Sequence, residues 1–161
     1  MSREKHILTM LVENEPGVTA RITGLFAGRG YNIETICGAP TANPHMSRIT
    51  ITTWAEPLQL EQCMKQIRRL TNVIKLRDMT GRKAVKRELA IVCVAVLPEN
   101  REKINAIAAG FNGKVIDQGG EHLTFEVTDK ENRIDELLTL LKPFGVKKLA
   151  RSGLLALYRE Q

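Results

Sequence analysis

The run LVENEPGVTARITGLF (11–26) carries Asn14, Pro16 and Gly17 where an apolar stretch gives way to helical apolar spacing. Pro16 fixes one backbone dihedral, and Gly17 has no side chain to shield the amides of Gly17 and Val18 at a helix start. Free amides backed by the positive end of a helix dipole form an anion site suited to one carboxylate. Asn14 can add an amide oxygen for an ammonium group. An α-amino acid carries both charges on one carbon, so the turn has the chemistry to hold its head group. Plain strand-to-helix turns of this kind are also common. Asn32 is the second residue that points to a ligand, with Ile33 beside it offering backbone and apolar surface. The pair either lies next to the turn within one chain or faces the turn of a neighbouring copy.

Other chemistries fare worse. A dinucleotide fingerprint needs G-x-G-x-x-G between a strand and a helix, whereas Gly24, Gly28 and Gly30 fall within or after the helix, in the order GLFAGRG. Gly24 reads as a close-packing position and Gly28 or Gly30 as the helix end. His6, His45 and His122 are scattered with no Cys or Ser placed beside them by a recognisable motif, and Glu13, Glu15 and Glu34 read as polar strand rims and a helix start. Cys37, Cys63 and Cys93 are an odd number at wide spacing, which excludes a disulfide framework and a zinc site and fits buried hydrophobes in a reducing compartment. No catalytic set and no metal site is expected.

The elements that must position the turn occur twice. Strands are predicted at 6–12, 31–37, 47–54 and 72–79. Between them lie a helix with Val18, Ile22, Leu25 and Phe26 on one face and a helix that opens at Pro57 and buries Leu60, Cys63, Met64, Ile67 and Leu70. The same order returns after the basic stretch TGRKAVKR. Strand 88–97 is followed by a helix marked by Ile104, Ile107, Ala108 and Phe111, then a hairpin of GKVIDQ and HLTFEV across GGE. A Thr128 to Glu131 capping box precedes a helix with Ile134, Leu137, Leu138 and Leu141, and 146–158 is extended with a break at Ser152-Gly153. Two βαββαβ units make an α+β protein of two ferredoxin-like domains, 1–79 and 88–161, joined by a basic linker, 80–87. Helices on one side only leave one face of each sheet uncovered, so a homodimer is expected.

The chain has 161 residues and a formal charge of +6, with no single helix holding the excess. An RNA-recognition module shares the βαββαβ order, but its aromatic signature is missing from SRITITTW and HLTFEV, and aromatics are 4% of the chain. RNA binding is therefore a minor alternative. MSREKHILTMLVENE meets a charge too early for a signal peptide or spanning segment, so a cytoplasmic location with no membrane association is expected.

ENEPGVTARITGLFAGRGYNIETICGAPTANPHMSRITI, followed by LEQCMKQIRRLTNVIKL, KRELAIVCV, FNGKVID and KKLARSG, resembles the small, regulatory subunits of acetolactate synthase (acetohydroxyacid synthase). The similarity covers nearly the whole chain and is strongest in the R-G-Y-N-I run and the S-R pair at 47–48. It implies an N-terminal ACT domain and a C-terminal ACT-like domain, without catalysis of their own. It further implies a chain that activates a catalytic large subunit in branched-chain amino acid biosynthesis and makes it sensitive to valine. Thiamine diphosphate, Mg2+ and FAD would belong to that partner. The effector would lie between ACT domains of two copies, on Asn14, Gly17 and Val18 of one and Asn32 and Ile33 of the other, with Leu11 as an apolar wall. The second repeat departs here: VLPENREK has no glycine after its turn, and Glu99 and Glu102 repel a carboxylate, so one site per chain is expected. The second domain and its KKLARSG tail are assigned to large-subunit contact because no other role is visible for them. The alternative is a free-standing amino-acid-sensing module acting on another enzyme or on nucleic acid.

Overall fold

The computed structural model describes residues 2–81 and 84–160. Met1 and Gln161, at the outer limits of the expected domains, and Arg82 and Lys83 of the expected linker lie outside the described residues. Residues up to Val85 together with Leu154 onward form one compact unit, and Lys86–Gly153 form the other.

The first unit runs β1 (Glu4–Glu13), α1 (Val18–Ala27), β2 (Ile33–Pro40), β3 (Met46–Ala55), α2 (Pro57–Ile67) and β4 (Val73–Asp78). The antiparallel sheet has the order β2-β3-β1-β4. Side-chain alternation along β1 decides its two faces. Leu8, Met10 and Val12 enter a core with Val18, Ile22 and Phe26 of α1 and Leu60, Cys63, Met64 and Ile67 of α2. Thr9 and Leu11 point to the other face, and Ile7 packs with Met79, Leu154 and Ala156. α2 starts at Pro57 behind a capping box of Glu56 and Gln59, which explains its sharp N-terminus.

The second unit continues from β5 (Ala84–Ala95) through α3 (Arg101–Gly110), β6 (Lys114–Gln118), β7 (His122–Asp129), α4 (Glu131–Leu141) and β8 (Val146–Arg151). Its order, β6-β7-β5-β8, repeats that of the first, and β9 (Leu155–Tyr158) pairs with β5. Ala90, Val92 and Val94 meet Ile104, Phe125, Ile134 and Leu137 in its core. Both units have the ferredoxin-like strand order, and the fold is α+β.

Several boundaries differ from the sequence reading. The stretch 80–87 is already strand from Ala84, because Ala84 and Leu154, Ala156 and Tyr158 share an apolar cluster. That cluster also draws 154 onward into the first unit and out of the expected second domain. β2 extends through Gly38-Ala39-Pro40; an edge strand tolerates proline because its outer amide has no ladder partner. Thr128 is strand rather than a helix cap, since alternation through Leu123, Phe125 and Val127 carries β7 to Asp129 and leaves Lys130 as the N-cap. Gly24 faces open space, with no atom within 4 Å of where a Cβ would stand, so it is not a close-packing position.

Candidate functional site

Between β1 and α1 the chain turns through Gly17 at φ +86°, a left-handed conformation that favours glycine. α1 then begins with no side-chain cap. The Val18 amide reaches back only to the Glu15 carbonyl at 3.4 Å, and Arg21 N donates to Gly17 O at 2.9 Å. The first-turn amides of Thr19 and Ala20 are left to face outward with the helix dipole behind them. The Arg21 guanidinium stands over Gly17, 3.7 Å from the position a Cβ would take, and adds a full positive charge to the helix end. Sequence reasoning missed Arg21. The signal for it is its position four residues after the glycine, one helical turn on.

A cleft of about 420 Å³ opens beside this turn, with Asn14, Val18 and Thr19 on one side and Ile36, Ala39 and Pro40 of β2 on the other. Asn14 spends its Nδ2 hydrogen on Pro44 O (2.9 Å) and its backbone N–H on His45 O (2.8 Å), so its side chain is fixed with Oδ1 left as acceptor. Glu13 and Glu15 also line the cleft. Asn72 Nδ2 donates to Glu13 Oε2 at 2.7 Å, which steadies that carboxylate at the rim. The uncapped start of α1 at Val18 and Thr19 on one side, and Asn14 Oδ1 with two carboxylates on the other, present partial charges of opposite sign to the two ends of a zwitterion, with Arg21 behind Gly17 outside the cleft lining. Val18, Ile36 and Ile49 supply apolar surface for an aliphatic side chain. Glu13 and Glu15 looked like plain strand rims in the sequence because nothing there shows that the turn folds them towards one concavity.

Asn14 and Val18 thus line the cleft, and Gly17 shapes the turn without lining it. Leu11 is not brought there. Its parity puts it on the opposite face of the sheet, between Arg48 and Lys75. Asn32 and Ile33 are not brought there within one chain either. Ile33 pairs with Thr53, seven residues along β3 from Met46, which pairs with Glu13, so the two places lie roughly 23 Å apart. At that far end Thr53 Oγ1 donates to Asn32 O at 2.7 Å. Glu34 accepts from Lys5 (2.7 Å) and Trp54 Nε1 (3.2 Å); partial burial raises its carboxyl pKa, but these contacts outweigh it and hold the carboxyl below its ordinary value.

The matching turn of the second unit is built differently. Asn100 Oδ1 accepts from Leu97 N at 2.8 Å, and Glu99 and Glu102 put negative charge at the start of α3. No left-handed glycine opens it. Among the described residues no group of three or more His, Cys, Asp or Glu side chains is placed to hold a metal, and no helix is long and apolar enough to cross a membrane.

Residues 8–75 match the family model of the AHAS small subunit-like ACT domain, and 87–160 match that of the small subunit of acetolactate synthase. The acetolactate synthase small subunit of Aquifex aeolicus (strain VF5) is 43% identical over 157 residues, spanning 97% of this chain and 82% of that protein. That of Bacillus subtilis (strain 168) is 40% identical over 156 residues, covering 96% and 91%. The crystal structure of the acetolactate synthase small subunit from Thermotoga maritima superposes with a TM-score of 0.88 at 31% identity, covering 98% of this chain and 99% of that one.

Proposed function

The chain belongs to the family of acetolactate synthase small subunits, and from that premise we propose that it is the regulatory subunit through which valine restrains a catalytic large subunit in branched-chain amino acid biosynthesis. It activates that partner in the cytoplasm and carries no catalytic group of its own; thiamine diphosphate, Mg2+ and FAD belong to the partner. The observation that carries the reading is the uncapped start of α1 at Gly17, the positive end of a helix dipole, beside a cleft with two carboxylates and an aliphatic wall.

Valine sits with its carboxylate at the α1 amides and its ammonium at Asn14 Oδ1. The isopropyl group rests on Val18 and Ile36. The site is completed by a second copy. β2 is an edge strand, and antiparallel pairing with the β2 of another chain lays the start of one strand beside the end of the other. Asn32 and Ile33 of the second copy then arrive next to Ala39 and Pro40, which line the cleft. This geometry favours a homodimer with one site per chain, in the first unit only. Leu11, on the other face, has no part in it.

Valine bound across two copies favours one arrangement of the dimer, and linkage passes that preference to the large subunit, provided valine binds the two states unequally. The test is acetolactate formation by the cognate large subunit with and without this chain and valine. The expected result is a rise with the chain and a fall with valine; the Gly17→Asp variant keeps the rise and loses the fall. No activation at saturating chain, or unchanged valine inhibition in Gly17→Asp, overturns the proposal.

A further inference from the structure

The face of the first sheet turned away from α1 and α2 holds a second concavity, of about 560 Å³. Its register gathers cations. Leu11 pairs with Arg48 on one side and Lys75 on the other, and Thr9 pairs with Arg77. Strands about 4.8 Å apart place Arg48 and Lys75 roughly 10 Å from each other across Leu11, with Arg77 two residues along the same strand as Lys75. Arg159 joins them after β9. Glu160 is the single carboxylate in the lining, so the concavity keeps three net positive charges, half of the chain's formal +6.

None of the four cations takes part in an ion pair among the described residues. The Arg77 guanidinium is instead held over the Tyr158 ring, 4.3 Å from its centroid, which orders it without neutralising it. Like charges held within about a Debye length of one another repel, and an anion with several charges relieves that repulsion at one stroke. The volume is in the range of small-ligand sites, and guanidinium forks match phosphate oxygens. A single carboxylate carries one charge and cannot balance the concavity's three net positive charges.

We propose that this concavity binds an oligophosphate, two or more linked phosphoryl groups, free or carried on a larger molecule. It lies on the opposite sheet face from the valine cleft and stands independently of it. Isothermal titration calorimetry of the full chain with tripolyphosphate and with a nucleoside triphosphate, at about 150 mM salt, reads it directly. Saturable binding of tripolyphosphate that weakens as salt rises supports the site. Equal affinity for both probes assigns recognition to the phosphate chain, and tighter nucleotide binding adds a contact to its base or sugar. Arg48→Gln with Lys75→Gln weakens tripolyphosphate at least about tenfold, and Arg159→Gln, at the exposed end of the chain, weakens it separately. The charge-matched control Lys130→Gln with Lys142→Gln, two exposed residues of the second unit, leaves it unchanged. No binding by the wild type, equal loss in the control pair, or tighter binding of a DNA duplex than of tripolyphosphate overturns the proposal.

Discussion

Arg151 shows what one side chain contributes. Its Nε and Nη2 donate to Glu88 at 2.8 Å each and its Nη1 to Asp135 at 2.8 Å, while Glu88 is 2% exposed. The hydrogen bond to Glu88 raises the guanidinium pKa against the opposing effect of burial, so the cation persists at any working pH. Arg151→Met strands a buried carboxylate and is expected to cost about 2–4 kcal/mol, discounted for the part-exposed arginine; urea unfolding at neutral pH measures it. A loss under half a kcal/mol would show that Glu88 finds water instead. Gly17 is the opposite case, a residue whose turn conformation was legible because Pro-Gly ahead of a helical pattern marks a tight strand-to-helix turn, and it adopts φ +86°. Arg21, Glu13 and Glu15 were not legible, since which charges converge on a turn depends on where its neighbours fold.

At the scale of elements, periodicity located the four α-helices of the described residues, because the buried face of each recurs at three and four residues against the sheet of its own unit. Strand ends were less legible. Gly38-Ala39-Pro40 reads as loop, yet the edge position of β2 accepts it. The KKLARSG tail was assigned to partner contact for want of another role, and part of it has an internal one: Arg151 clamps β8 to β5, and Ser152 exchanges hydrogen bonds with Leu89, each at 3.0 Å. Gly24 sits in the interior of α1 facing open space. Replacing it with alanine removes backbone entropy from the unfolded chain and is expected to stabilise the protein by about 0.5–1 kcal/mol. Thermal melts decide it; a lowered midpoint would mean that a backbone approaches there in the assembled protein.

For the whole molecule, duplication of one βαββαβ unit was legible from the sequence, and the strand orders β2-β3-β1-β4 and β6-β7-β5-β8 repeat each other. The return of the residues from Leu154 onward to the first unit was not, because it depends on Ile7 and Met79 being available on the far sheet face. Because Gly17 and Asn32 stand at opposite ends of one sheet, the proposed valine site must be shared between two copies. Homodimers of Gly17→Asp and of Asn32→Ala should each fail to bind valine. A heterodimer purified with one chain of each pairs an intact turn with an intact Asn32 at one of its two sites. Calorimetric titration of that heterodimer with valine is the direct measurement. One site per dimer should return with near wild-type affinity; a heterodimer as silent as its parents would contradict a shared site.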